Sequence, residues 1–309
     1  MTRRALTIGT RGSALALWQA NHVRARLEAA GHVVAIEEIR TTGDRILDVP
    51  LAQIGDKGLF TKELDVALLS GRIDLAVHSL KDLPTILPDG IVLAAVGERE
   101  APWDAFVAHP SFGGGLAELP HGARIGTSSL RRQAQLKAWR PDLQVEPIRG
   151  NVDTRLAKLD AGSLHGIVLA QAGLVRLGLE ARIREVVPVE VMLPAVSQGA
   201  LGIVCAGEAP IRALLAGVLH HAPSAVAVTA ERAFLRRLEG GCSVPVGAWG
   251  RLEAGRLVLE GCVAALDGSR LFRSRIEGPP ERAEALGAEL AGRLVDDGAG
   301  EVLAAIRKA

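Results

Sequence analysis

Five places in the sequence set a cation beside hydroxyls or open backbone directly after a short apolar, β-branched run. They are Thr10-Arg11-Gly12-Ser13; Ser79, Lys81 and Asp82; Thr127-Ser128-Ser129 with Arg131-Arg132; Arg149-Gly150-Asn151 with Arg155; and Gly173 with Arg176 after Ala170. Arg grips carboxylate or phosphate bidentately, and a helix start adds free N–H groups and partial positive charge. Each charge-assisted hydrogen bond contributes roughly 1.5–3 kcal/mol. One such Arg is ordinarily a solvated helix-face charge, but five at one class of position predict a wall that holds a ligand with several anionic groups. The sequence has no G-x-x-x-x-G-K-[ST] and no G-x-G-x-x-G after a strand, so a polycarboxylate is expected rather than a nucleotide.

Asp82 is an acid among these bases. It reads either as a helix N-cap beside Pro84 or as a carboxylate that faces a cationic intermediate or exchanges protons with one. Lys81 next to it favours the ionised form. Cys242 lies in Gly240-Gly241-Cys242-Ser243-Val244-Pro245, where two glycines and a proline open the loop to another group. A thiol there can act as nucleophile or covalent anchor. Cys205 and Cys262 sit inside apolar strand patterns and read as small core hydrophobes. A thiol–imidazole pairing of Cys242 with His78 is a further alternative, unsupported by any acyl-transfer signature. Three Cys without C-x-x-C spacing indicate neither a disulfide framework nor a metal site.

The elements that must position these residues follow an α/β pattern. Strands are expected at 6–10, 33–39, 73–78 and 91–96, with helices at 14–30 and 62–70. The pattern then restarts, with strands at 105–108, 124–126, 145–148 and 167–170 and helices at 129–139, 152–161 and 172–177. Another apolar strand at 199–205 suggests that the chain crosses back, making a hinged pair of lobes with a cleft. Ligands in open α/β sheets bind beyond the carboxyl ends of strands, where the five basic segments fall. From Pro223 the texture changes: a helix at 224–238 stops at Gly240-Gly241, strands follow at 246–252, 257–264 and 271–276, and a last helix is expected over 280–307. This predicts a small α+β third domain. The expected division is 1–97 with 198–217, then 103–191, then 220–309.

Composition narrows the function classes. Lys and Arg number 36 against 35 Asp and Glu in 309 residues, a net charge of +1 that opposes a general nucleic-acid coat. Aromatics are 3% with no Tyr, which weakens any base-stacking platform. The apolar run after Met1-Thr2-Arg3-Arg4 is short for a signal segment, and no stretch reaches the apolar length that spans a bilayer. The expected compartment is the reducing cytoplasm, with no membrane or nucleic-acid partner.

Taken in order, Arg11-Gly12-Ser13 with Leu15, Ala16 and Gln19; Thr41-Thr42-Gly43-Asp44; Lys57-Gly58-Leu59-Phe60; His78-Ser79-Leu80-Lys81-Asp82-Leu83-Pro84; Gly126 through Arg132; Arg149 through Arg155; Gln198-Gly199-Ala200-Leu201-Gly202; and Gly240-Gly241-Cys242 resemble the hydroxymethylbilane synthase family, also called porphobilinogen deaminase. The resemblance implies two lobes like those of periplasmic binding proteins plus a C-terminal domain carrying a cofactor loop. It implies a dipyrromethane joined by a thioether to Cys242. On it, four porphobilinogen molecules are condensed head to tail with loss of ammonia, and 1-hydroxymethylbilane is then released by hydrolysis. Each pyrrole carries an acetate and a propionate, which suits the basic wall.

By the same resemblance Asp82 is the catalytic acid. Ser13, Lys81, Asp82, Asp104, Thr127, Ser128, Ser129, Arg131, Arg132 and Gly150 are expected at the cofactor. Arg11, Gln19, Phe60, Arg149, Arg155, Ala170, Gly173, Arg176 and Gln198 are expected at the substrate, with Lys57 on a lid. A monomer is expected. Gln171, Trp103 and Gln53 depart from the family pattern and affect local loop contacts. Two rival readings fit the sequence less well. A non-catalytic anion-binding protein of the same two-lobed fold calls for a secretion signal and gives no reason for an open Cys242, and a nucleic-acid-binding regulator calls for a basic helix-turn-helix region, which the near-neutral charge and the α/β start at Leu6 oppose.

Overall fold

The computed structural model describes residues 5–45, 61–207, 209–238 and 244–308. Cys242, Lys57, Phe60 and Gln53 lie outside the described residues.

The chain opens with β1 (Leu6–Thr10), α1 (Ala14–Ala29), β2 (Val34–Glu38), the single turn α2 (Thr42–Arg45), α3 (Lys62–Leu69), β3 (Leu75–Ser79) and β4 (Ile91–Val96). β1 runs parallel to both β2 and β3, and parallel neighbours need a crossover, which α1 supplies between β1 and β2. Ile8, Leu75 and Val77 pack against Ala20, Val23 and Leu27 of α1 on one face of the sheet. Ala76 packs with Leu64 and Leu68 of α3 on the other. Coverage on both faces is why the third strand reads as an unbroken apolar run.

The second lobe repeats the plan with β5 (Asp104–Ala108), β6 (Arg124–Gly126), α4 (Leu130–Trp139), β7 (Gln144–Glu146), α5 (Val152–Ala161), β8 (Gly166–Ala170), α6 (Gln171–Arg176) and β9 (Glu185–Val186). β10 (Leu201–Ala206) and α7 (Ala209–Leu219) come next. β10 is the strand expected from the run at 199–205, and it inserts antiparallel between β3 and β4 of the first sheet. The sheet orders are β2-β1-β3-β10-β4 and β7-β6-β8-β5-β9, so the fourth place in each is filled by a strand that has just crossed between lobes. Two crossings therefore join the lobes. They touch backbone to backbone: the Glu100 N–H donates to the Gly199 carbonyl at 3.2 Å, and a Cβ on Gly199 (φ +88°) would meet the Glu100 carbonyl oxygen at 2.3 Å. Glycine is required there by both conformation and space.

The remainder is α8 (Ala222–Arg237), a three-stranded antiparallel sheet β11 (Val246–Glu253), β12 (Arg256–Ala264) and β13 (Leu271–Gly278), then α9 (Ala283–Leu294) and α10 (Gly300–Lys308). Phe234, Leu257, Leu259, Leu286 and Leu290 form its core, with both long helices on one face of the sheet. The expected single C-terminal helix over 280–307 is interrupted at Gly298, whose φ of +110° turns the chain inside the Val295–Ala299 segment. Helix α7 was not among the expected elements; its apolar run, Leu214 and Leu215 with Val218 and Leu219, covers the first sheet. Cys205 and Cys262 are buried, as expected.

Candidate active site

The basic segments fall at the carboxyl ends of β1, β3, β6, β8 and just beyond β7. After β1, Ser13 caps α1, its Oγ accepting from the Ala16 N–H at 3.3 Å. After β6, Ser129 caps α4 by accepting from the Arg132 N–H at 3.4 Å. Thr127 Oγ1 accepts from the Ser129 N–H at 3.2 Å, and Ser128 donates to the Ile148 carbonyl at 2.9 Å. These hydroxyls set the loop conformation. Beyond β7, Gly150 (φ +119°) turns the chain, and its carbonyl accepts from Arg155 Nε at 2.7 Å.

After β3 the chain makes a single 3-10 turn, Leu80–Asp82. Asp82 is the last residue of that turn rather than the N-cap of a helix, which settles the structural alternative raised for it. Its side chain is exposed, and no hydrogen bond or ion pair among the described residues engages it. Lys81 beside it donates to Gln198 Oε1 at 3.1 Å. Burial is the main influence on Lys81; Arg132 and Arg131 add to it while Asp82 and Asp104 oppose, and its pKa is brought down to about 8.

Gln198 lies on the second crossing and is fully buried. Its Nε2 donates to Asp104 Oδ1 at 3.0 Å and to the Pro102 carbonyl at 2.7 Å. Asp104, the first residue of β5, also accepts from Arg131 Nη1 at 2.7 Å and from Arg132 Nη2 at 2.7 Å. Burial pushes its carboxyl upward, but the two guanidiniums outweigh that and hold it well below the usual carboxylate range. A continuous polar chain thus runs from the Lys81-Asp82 turn through the crossing to the paired arginines.

Around this chain positive charge is in excess. Lys81, Arg131, Arg132, Arg149 and Arg155 face two carboxylates, Asp82 and Asp104. The Arg155 pKa is lowered to about 10, by burial first and then by Arg132 and Arg149, with Asp82 opposing. Arg131 Nε and Arg149 Nη1 are buried without a hydrogen-bond partner among the described residues. Unsatisfied guanidinium donors among crowded cations are the complement of a ligand rich in carboxylates.

Other expected site residues make structural contacts. Gln19 is buried and donates to Ser79 Oγ at 2.8 Å. Arg176 donates to the Gly199 carbonyl at 2.5 Å and lies over the Trp18 ring at 5.5 Å, linking the second lobe to the crossing and to α1. Gly173 lies where α6 meets α1; a Cβ there would make an ordinary contact with Leu15 Cδ2 at 3.7 Å. Ala170 ends β8 directly before α6. Arg11 follows β1, where its charge and burial bring the His78 pKa down to about 4, burial being the larger cause. His78 is therefore neutral at pH 7. The alternative of a His78–Cys242 pair lies outside the described residues on the sulfur side.

Several residues with structural claims on the site were missed by the sequence reading. Gln135 brackets Leu193 by accepting from its N–H at 2.8 Å and donating to its carbonyl at 3.1 Å, and the same carbonyl accepts from Arg131 Nη1 at 2.7 Å. Glu231, fully buried, pairs with Arg99 at 2.6 Å and accepts from the Ser197 and Gly250 N–H groups at 2.6 and 2.7 Å.

The family model described as "Porphobilinogen deaminase, dipyromethane cofactor binding domain" matches residues 6–211, and that described as "Porphobilinogen deaminase, C-terminal domain" matches residues 225–296. The chain belongs to the porphobilinogen deaminase family. A protein named porphobilinogen deaminase from Desulforudis audaxviator is 59% identical over 310 residues, spanning 99% of each chain. One of the same name from Pelobacter propionicus is 50% identical over 98% of this chain and 97% of its own. Among solved structures, the methionine binding protein MetQ gives a TM-score of 0.44 at 12% identity, covering 69% of this chain and 89% of its own. The family model covering the crowded arginines is thus the one that takes a dipyrromethane, and the donor set there fits a group bearing several carboxylates.

Proposed function

We infer that the chain is a hydroxymethylbilane synthase, a transferase that condenses four porphobilinogen molecules head to tail and releases 1-hydroxymethylbilane for tetrapyrrole synthesis. Full-length identity to proteins named porphobilinogen deaminase supports the activity. The observation that carries the mechanism is the free Asp82 carboxylate beside a crowd of incompletely satisfied cations. The dipyrromethane, when bound, supplies the primer whose free α-carbon is the nucleophile, and its thioether is assigned to Cys242.

The residues of this chain bind and polarise. Arg131, Arg132 and Arg149, with Lys81 and the hydroxyls of Ser13 and Ser129, hold cofactor and substrate carboxylates. Thr127, Ser128 and Gly150 shape that wall, and Asp104 keeps the arginine pair in place. Arg11, Arg155 and Arg176 take the carboxylates of incoming and elongating pyrroles, with Ala170, Gly173 and Gln19 at the border. Phe60 is assigned to the substrate border and Lys57 to a lid.

The aminomethyl group of porphobilinogen, protonated as an ammonium, departs as ammonia, the C–N bonding pair leaving with nitrogen. The pyrrole nitrogen supplies electrons to the exocyclic carbon and becomes cationic. The Asp82 carboxylate accepts the hydrogen bond of that N–H and lowers the energy of the cation. After carbon–carbon bond formation, the same carboxylate can take up the proton that restores aromaticity.

We further propose the division into residues 1–97 with 198–217, 103–191 and 220–309 as the working domains, a monomer, and a cytoplasmic site of action without nucleic-acid or membrane partners. Among the described residues no single helix is long and apolar enough to cross a membrane. The deciding experiment pairs turnover with intact mass. Purified protein should consume four porphobilinogen and release four ammonia per tetrapyrrole, and should carry the mass of two pyrrole units. Cys242→Ala should lose both mass and turnover. An active protein of unmodified mass would overturn the reading.

A further inference from the structure

Arg232 extends from α8, in the C-terminal part of the chain, to the turn that carries Asp82. Its Nη2 donates to the Pro84 carbonyl at 2.6 Å and its Nη1 to the Leu83 carbonyl at 3.3 Å. On the other side of the turn, the Leu80 N–H donates to the Ala200 carbonyl at 2.9 Å. Asp82 is therefore suspended between two anchors, one on the second crossing and one on α8.

Burying this cation is costly. Arg232 is 8% exposed, and burial, with Arg236 nearby on the same helix, lowers its pKa to about 10. No carboxylate among the described residues pairs with it. Two carbonyl acceptors recover only part of the desolvation of a guanidinium, and an apolar side chain of similar volume would fill the space without that penalty. The preceding residue, Glu231, ties together Arg99 and Ser197 on the two crossings. Consecutive residues of one helix thus hold the hinge and the acid turn.

We propose that Arg232 is a positioning residue for Asp82: by holding the Leu83 and Pro84 carbonyls it fixes where the Leu80–Asp82 turn presents its carboxylate to the substrate. The proposal rests on the catalytic role assigned to Asp82. It adds that helix α8, far from Asp82 in sequence, sets the geometry of the acid.

The test uses the full chain with Arg232→Met and Arg232→Lys, each alone and combined with Asp82→Asn. A small displacement of a reacting group costs tenfold or more in rate, so Arg232→Met should lower kcat about tenfold with KM changed less than about twofold. The dipyrromethane mass increment should remain. Arg232→Lys, keeping one donor, should recover part of the rate. In the Asp82→Asn background the Met substitution should change the residual rate less than about twofold, because its effect passes through the missing carboxylate. Independent multiplication of the two losses, or an unchanged kcat in Arg232→Met, would overturn the proposal. Amide hydrogen exchange gives a readout independent of turnover: Leu80–Leu83 should exchange faster in Arg232→Met, and unchanged protection there refutes the anchoring even if the assigned reaction proves wrong. Should the Met variant fold poorly, Arg232→Gln keeps a neutral donor in place and is judged by the same rates, cycle and exchange.

Discussion

Asp104→Asn removes the carboxylate on which the buried arginine pair depends. The side chain is 1% exposed and accepts from Arg131 Nη1 at 2.7 Å, Arg132 Nη2 at 2.7 Å and Gln198 Nε2 at 3.0 Å. The substitution conserves shape but turns one oxygen into a donor facing other donors. Arg131 and Arg132 cannot swing to water, since the Leu193 and Val168 carbonyls also hold them, at 2.7 and 2.8 Å. Breaking a buried pair by removing one partner costs about 3–5 kcal/mol, and two cations here share the single anion. In the Cys242→Ala protein, which on the proposed attachment carries no cofactor, the expected loss is therefore at least about 3 kcal/mol. In loaded protein the ligand's carboxylates offset part of the missing charge, so the loss should be smaller by about 1 kcal/mol or more.

Urea unfolding followed by tryptophan fluorescence reads both differences. Because the folded Asp104 pKa is depressed, its stabilisation is complete above the unfolded carboxyl value of about 3.9 and is lost as pH falls through the folded value. The gap between parent and variant should thus hold from about pH 8 to pH 5 and narrow only below about pH 4. A gap under about 1 kcal/mol in the cofactor-free pair, or one that closes between pH 7 and pH 5, would refute the assignment of Asp104 as the counter-charge.

Three further outcomes follow from the geometry. Asp82→Asn should leave stability within about 0.5 kcal/mol of the parent, because the exposed carboxylate has no partner to lose, while turnover nearly vanishes; an unchanged kcat would remove Asp82 from the mechanism. Glu231→Gln should destabilise by about 3–5 kcal/mol in urea, since Arg99 is then left buried without its ion pair; a loss below about 1 kcal/mol would show that the hinge node does not depend on charge. Arg176→Leu removes the bond to Gly199 and the contact over Trp18, so small-angle scattering should show a larger radius of gyration. An unchanged radius would show that Arg176 does not hold the lobes together.

How much of this was legible beforehand depended on whether the information was local. β1, β4, β6 and α5 fall where their sequence patterns put them, because alternation, capping and Gly turns are written in neighbouring residues. The α8 boundary shifted by two residues at the start, where His221 caps the helix by accepting from the Ser224 N–H at 3.4 Å, a role that an Asn or Ser signal would have advertised better. Gly298 breaks the last helix, yet a lone Gly in a helical pattern does not announce whether it will be tolerated or will turn the chain.

The site divides along the same line. Arg and Lys after strand ends were visible because the position itself is chemical. The partners that hold them were not: Asp104 lies 27 residues from Arg131, and Glu231 lies 132 from Arg99. Arg232, 148 residues from Pro84, looks from its neighbours like any helix-face charge. Only the fold shows that its guanidinium is buried against the turn carrying Asp82. The groups assigned to ligand binding are thus legible as types at positions, whereas the groups that aim them are legible only as contacts. Substitutions at the aiming residues should accordingly alter kcat while leaving cofactor mass intact, whereas loss of an arginine assigned to the cofactor carboxylates should lower cofactor mass and turnover together.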